Sequence, residues 1–317
     1  EREAIMSATL QGETSKQIGD KLGKDPSYIR HVRSKIAKGL GGDTKVANAI
    51  VAAGQLRFPN ERKPGIPAML KVSTELAELF GYYCAEGCVN TNKDRPNSHT
   101  LNFSFSPKET ELVNKVVKLL KKTFEVKASL VKRETTLAIA IGKASLALLF
   151  KNLMGESSKE KVIPMQILMA DKPIIEAFLN AYVEGDGHKY SNGKVSITTV
   201  SQKLAYGIAW LALKLGYFSS IYNNILEIEH TIEGRNVKRL PNQYTVVWYE
   251  EDINRRNLVE TTDYYLIQIK DIAAESFDGN VYNMEVEEEH NYLANFFLVS
   301  NCQNWITSQV LRDPNAV

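Results

Sequence analysis

Apolar residues first fall into helical spacing at Ile18 and Leu22, then again at Ile29, Val32 and Ile36, with a break at 23–26. Thr14 or Ser15 can cap the first run and Asp25 the second, with Pro26 at its first helical position. Two short helices joined by a tight turn are predicted over 1–40. Residues 41–70, rich in Gly and Pro, lose the periodicity and read as a linker. Two apolar helices then recur 100 residues apart, over 76–87 and 175–187. The first is followed by a strand (100–105), a helix (108–124) and two alternating strands (126–131, 135–141). The second is followed by a strand (194–199), a helix (202–215) and two further strands (218–222, 243–248). This repetition predicts an α+β fold of two pseudo-symmetric units, 71–170 and 171–262, each with helices on one face of a small antiparallel sheet. Alternation at 281–286 and the apolar pattern of 292–299 predict two short strands joined by a turn.

Composition alone is that of an ordinary globular chain: 317 residues, 44% hydrophobic and 24% charged, which excludes collagen, a coiled-coil rod and long disorder. The longest apolar runs, near 146–150 and 296–299, fall far short of a membrane span, so no membrane partner is expected. Three cysteines do not make a disulfide framework, and a cytoplasmic, reducing setting is expected. The chain opens Glu1-Arg2-Glu3 without Met and reads as a fragment of a longer frame.

Net charge of +2 conceals a division. Residues 1–70 carry 12 Lys/Arg against 7 Asp/Glu, whereas 271–301 carry 7 Asp/Glu and no Lys/Arg. The body is basic, as a polyanion partner would require, although a solvated surface shows the same excess. Within it, the second N-terminal helix offers Tyr28, Arg30, Arg33 and Lys35, residue types that bond phosphates and base edges. The pattern resembles DNA-binding helix-turn-helix segments, although a helical hairpin with a solvated basic face would look alike.

The recurrent helices carry the sharpest chemistry. Each has small residues four apart (Gly81 and Ala85; Ala181 and Gly185) and ends in a carboxylate followed by glycine (Glu86-Gly87; Asp186-Gly187). Small residues let helices approach almost backbone to backbone, and parallel packing would bring both carboxylates to one end of the seam. Like charges so close repel unless a cation neutralises them. A buried helix pair whose acids merely end the helices is the bland alternative. Gly87 and Gly187 are expected at positive φ.

These paired motifs, LFGYYCAEG at 79–87 and LNAYVEGDG at 179–187, resemble those of the LAGLIDADG homing endonucleases, in particular the two-motif monomers found inside inteins. The first motif departs from the usual pattern by carrying Glu for Asp. The resemblance implies two αββαββα units whose sheets form a saddle on double-stranded DNA, with Glu86 and Asp186 binding divalent metal, Mg²⁺ being expected, at the scissile phosphates. A phosphodiester is anionic, so metal between the carboxylates can activate water and stabilise the leaving oxygen. Lys132, Arg133, Lys194, Arg235 and Lys238 are plausible phosphate partners, with Lys127 and Arg239 besides. Lys143 and Lys214 are candidate assisting lysines, with nothing to choose between them.

Residues 263–301 resemble the C-terminal splicing blocks of inteins, VYNMEVEEEHNYLAN and FLVSNC, which implies strands of a Hint-type splicing domain. The resemblance implies that Asn301 cyclises and cleaves its bond to Cys302, that His290 assists as general acid, and that Cys302 is the thiol nucleophile. Ser300 stands where inteins usually carry His. The N-terminal splicing blocks are absent, so a missing N-terminal intein segment is an expected partner. Residues 302–317 would be host (extein) sequence in cis, resembling a segment of radical-SAM activating enzymes. The expectation is an intein-encoded, metal-dependent DNA endonuclease; the alternative is a catalytically inert DNA-binding intein fragment.

Overall fold

The computed structural model describes residues 2–37, 49–58, 61–62, 64–92, 98–226, 229–232, 235–238, 240–250, 258–262, 264–274, 276–280, 282, 284–288, 290–294 and 296–300. They fall in two compact units, 1–251 and 252–317. No helix among the described residues is long and apolar enough to cross a membrane.

Three helices open the chain: α1 (Arg2–Leu10), α2 (Ser15–Leu22) and α3 (Pro26–Ala37). Ile5, Ile18, Ile29 and Val32 bury one small core among them, so the expected helix pair is completed by a third helix. Thr14 caps α2 in a reciprocal box with Gln17, whose Oε1 accepts from the Thr14 N–H at 2.8 Å. Gly23, at φ +62°, ends α2, and Asp25 Oδ1 accepts from the Ser27 N–H at 2.7 Å to start α3.

The stretch expected as a linker contains a three-stranded sheet, β1 (Ile50–Ala52), β2 (Gln55–Arg57) and β3 (Ile66–Pro67). It is tied to the next domain. Glu61 Oε1 accepts from the Ser145 N–H at 2.7 Å, and Lys143 Nζ donates to Pro64 O at 2.6 Å. Gly54, at φ +72°, turns β1 into β2, so this stretch holds a short sheet rather than a free connection.

The first repeat runs α4 (Thr74–Glu86), β4 (Gly87–Thr91), β5 (His99–Phe105), α5 (Thr110–Phe124), β6 (Ser129–Lys132), β7 (Leu137–Ile141) and α6 (Ala144–Met154). A turn at Ser158–Glu160 and the short α7 (Met165–Leu168) lead to the second. That repeat runs α8 (Lys172–Asp186), β8 (Gly187–Lys189), β9 (Lys194–Thr199), α9 (Gln202–Lys214) and β10 (Ser220–Ile225). A hairpin, β11 (Glu229–Ile232) and β12 (Arg235–Lys238), precedes β13 (Asn242–Tyr249). The antiparallel sheets have the same order, β4-β5-β7-β6 and β8-β9-β13-β10. Their inward residues alternate: Leu101, Phe103 and Phe105 on β5, and Val195 and Ile197 on β9, are buried against the helices. Edge-to-face rings, Phe80–Phe150 at 5.4 Å and Tyr83–Phe150 at 5.0 Å, fill the first repeat's core.

Strands β4 and β8 are absent from the sequence expectation. The motif glycines do not stop their helices in a left-handed turn; Gly87 has φ −90° and Gly187 φ −120°, both extended. Close approach is what demands glycine. A Cβ on Gly87 would lie 2.2 Å from the Tyr83 ring, and one on Gly187 2.7 Å from Val183 Cα.

In the second unit, β14 (Leu258–Glu260) pairs with β15 (Tyr265–Ile267), and β16 (Asn291–Ala294) with β17 (Phe297–Ser300). The expected strand at 281–286 does not form among its described residues; the hairpin lies wholly within 291–300. Glu285, Glu287 and Glu288 concentrate like charge just ahead of it, which disfavours pairing.

Candidate metal and nucleic-acid site

Helices α4 and α8 pack in parallel along their small residues. A Cβ on Gly81 would lie 2.4 Å from Phe178 O and 2.9 Å from Ala181 Cβ, and a Cβ on Gly185 would lie 2.8 Å from Ala85 Cβ. Gly81 therefore faces Ala181, and Ala85 faces Gly185, each its counterpart 100 residues on. One level further along, Glu86 and Asp186 end the two helices. Neither carboxylate has an ion-pair partner among the described residues.

Their electrostatics follow from that placement. Burial first, then the negative charge of Asp186 and Glu109, push Glu86 up to about 7, against the opposing pull of Lys161. Asp186, although solvent reaches it, is raised to about 6 by the protein surrounding its carboxyl. Hard oxygen ligands with unneutralised charge fit a divalent cation such as Mg²⁺. No cluster of three or more His, Cys, Asp or Glu occurs among the described residues, so the pair stands there without a third such side chain.

Lys161 is a site residue that periodicity does not reveal. It is 2% exposed, and its Nζ donates to Tyr83 O at 2.6 Å and Gly87 O at 2.7 Å, over the Tyr83 ring. Burial lowers it to about 8, while Cys84, Cys88 and Glu86 favour its charge. Its backbone oxygen accepts from Ser201 Oγ at 2.6 Å, so one residue holds the end of α4 and the start of α9. Nothing in the local sequence, Lys159-Glu160-Lys161 followed by Val162-Ile163-Pro164, sets this lysine apart from a solvated one. The lysines singled out instead serve elsewhere. Lys143 bonds the 61–64 loop, and Lys214 donates to Leu168 O and Ala170 O at 3.1 and 3.0 Å.

The sequence pattern of the LAGLIDADG-like domain matches residues 73–154 and 173–261, one copy over each repeat. The chain belongs to the LAGLIDADG-like family.

Curated relatives match most of the chain. An iron–sulfur cluster assembly SufBD family protein of Mycobacterium bovis is 30% identical over 265 residues, covering 81% of this chain and 30% of the relative. A DNA polymerase of Thermococcus litoralis is 26% identical, covering 73% of this chain and 16% of the relative. The Hel308 ATP-dependent DNA helicase of Thermococcus kodakarensis is 26% identical, covering 73% and 22%. The chain thus spans less than a third of the length of these relatives. Among solved structures, the homing endonuclease I-DmoI with DNA and Mn overlays 56% of this chain and 90% of its own at 14% identity and a TM-score of 0.41.

The candidate DNA contacts separate into groups. On α3, Tyr28 and Arg30 are exposed. Arg33 turns inward, donating to Glu13 O at 3.3 Å and Ser15 Oγ at 3.1 Å, and braces α3 on the start of α2. The side chain of Lys35 lies outside the described residues, as do those of Arg235, Lys238 and Arg239. Lys132 and Arg133 are exposed at the end of β6, as is Lys127 just ahead of it. Lys194 opens β9 with its Nζ 5.0 Å from the Tyr190 ring centre. In the second unit His290 is exposed at φ +52°, next to β16, while Asn301 and Cys302 lie outside the described residues.

Proposed function

We propose that the chain is a site-specific DNA endonuclease of the homing type, cleaving double-stranded DNA with a divalent metal. The observation that carries this reading is the pair of carboxylates, Glu86 and Asp186, set at one end of a seam too tight for any side chain larger than methyl. A DNA-binding scaffold alone has no use for two uncompensated acids there. Glu86 and Asp186 would hold Mg²⁺, which when bound supplies positive charge to the scissile phosphates and an acidified water. Lys161 fixes the carbonyl end of α4, which keeps the Glu86 carboxylate in register with Asp186. Exposed Tyr28, Arg30, Lys132 and Arg133, with Lys194, Lys35, Arg235 and Lys238, supply phosphate contacts that set orientation. Incubation with a plasmid carrying the uninterrupted host gene should give Mg²⁺-dependent cuts that Asp186→Asn abolishes. Cutting that survives this change would sink the carboxylate assignment.

The second unit supports an intein setting. Stretches of about 260 residues similar to this chain, 26–30% identical, occur in proteins named for iron–sulfur assembly, DNA synthesis and DNA unwinding, as an inserted element would. Ser300 pairs with Asn291, so the strand ends that follow His290 and lead to Asn301 share one end of a hairpin. Tyr282, Phe297 and Leu298 are more than half exposed, which suits a domain completed by another segment. In this reading Asn301 cyclises, the Asn301–Cys302 bond breaks, and His290 protonates the departing amine. Mass spectrometry should show loss of 302–317, and Asn301→Ala should prevent it.

A further inference from the structure

Because Gly81 meets Ala181 and Ala85 meets Gly185, α4 and α8 run in parallel with their counterpart residues level. A parallel pair in that register is related by a half-turn about an axis along the seam. Strands β4 and β8 begin at the helix ends, on Gly87 and Gly187, and the half-turn carries them away from the two acids in opposite directions. Each sheet therefore has an inner end at the seam and an outer end. In the first sheet Gly87 faces Phe103 at the inner end, and Thr91 faces His99 at the outer. A duplex centred on Glu86 and Asp186 runs out over one sheet on each side.

The chain ahead of α4 is fastened to the first repeat. Strand β7 runs outward, from Leu137 opposite Phe105 to Ile141 opposite Leu101. Just past its end, Lys143 and Ser145 grip the loop between β2 and β3. Lys143 Nζ donates to Arg62 O and Pro64 O, and the Ser145 N–H donates to Glu61 Oε1. Helix α6 has no side-chain cap from its own Lys143, so the Glu61 carboxylate supplies one where negative charge is favoured. Its other oxygen accepts from the Phe58 N–H at 2.8 Å. Residues 38–48 connect α3 to this sheet, and eleven residues span at most about 40 Å. That is about one turn of B-DNA.

On α3 itself, Ile29 and Val32 face the small N-terminal core and Arg33 is bonded to Glu13 and Ser15. Ser27, Tyr28, Arg30, His31 and Ser34 remain exposed. The helix contains no Asp or Glu, and Asp25 ahead of it is engaged by the Ser27 N–H. A helix of this kind fits the major groove, where such donors meet phosphates and base edges. We infer that α3 binds DNA in the flank beyond the first repeat's sheet, so that the target is longer on that side of the cut than on the other. The inference rests on the DNA reading above. A second contact tethered within one turn of the first raises affinity without a larger sheet.

Hydroxyl-radical footprinting of the full chain on the uninterrupted host-gene fragment, without added divalent metal, tests this. Protection should reach about ten base pairs farther on one side of the centre than on the other. Arg30→Ala with His31→Ala should erase that outer stretch alone and lower affinity roughly tenfold, with thermal melting to establish that the variant is folded. Lys132→Ala with Arg133→Ala should thin protection on the same side of the centre, whereas Lys194→Ala should thin the opposite side. Equal reach on both sides overturns the inference and leaves DNA binding intact. So does an outer stretch that survives the α3 changes, or one that lies on the Lys194 side. No protection anywhere overturns the DNA reading and this inference with it.

Discussion

Glu86 and Asp186 carry a cost that shows only when metal is withheld. Their values in the fold, about 7 and about 6, lie above the ordinary 4.5 and 3.8. Between those limits the folded chain holds more protons than the unfolded one, so stability declines as pH rises and the full penalty stands above about pH 7. Glu86→Gln or Asp186→Asn should therefore stabilise the metal-free chain at pH 8 by on the order of 1 kcal/mol after solvent screening, read as a higher melting temperature, while abolishing cleavage. At pH 4 the gain should vanish; a gain independent of pH would mean that repulsion is not its origin. These two acids were legible in sequence because a carboxylate-glycine pair recurs on two alike helices. Lys161 was not, because burial of a lone lysine depends on tertiary neighbours, Tyr83, Gly87 and Ser201, that no local pattern announces. Arg33 looked like a phosphate ligand for the opposite reason: its helix face was evident, its partner Glu13 twenty residues earlier was not.

At the scale of elements, the α4–α8 pair determines everything near the site. Gly185→Val adds a branched side chain where even a Cβ would sit 2.8 Å from Ala85. Overpacking of this kind costs about 1–3 kcal/mol, and forcing the helices apart also separates the two acids. Melting should fall, and cleavage should fall further than the loss of folded protein accounts for. Cleavage that tracks the folded fraction alone would mean that helix spacing does not set the site. Helices and central strands of both repeats were predictable because their periodicities are long. Strands β4 and β8 were hidden, since each begins on the glycine that seemed to mark only a helix end. The β1–β3 sheet was hidden by its brevity: two or three residues per strand leave no alternation to count.

For the molecule as a whole, the repeats share one seam and are tied again by Lys161, whose side chain serves one repeat and whose carbonyl serves the other. Neither repeat has a complete core without the partner helix. Hydrogen exchange should accordingly find α4 and α8 protected to the same free energy, opening as one cooperative unit. Distinct opening energies for the two helices would show that the repeats fold independently. Division of charge between a basic body and an acidic C-terminal stretch was visible from counting alone. Where that stretch forms its hairpin was not, because the alternation at 281–286 is as regular as the apolar pattern of 292–299.

The seam also decides which helix may lie against which. At each of its two levels a glycine of one repeat meets an alanine of the other, so every contact holds a single methyl: Gly81 with Ala181, Ala85 with Gly185. Two copies of α4 set against each other in the same way would match glycine with glycine, leaving a gap, and alanine with alanine, where the Cβ atoms would sit about as close as the 2.8 Å that Gly185 avoids. Two copies of α8 would fail identically with the levels exchanged. Each half is thus built to refuse itself and accept its sibling, and kinship between the repeats does not extend to interchangeability.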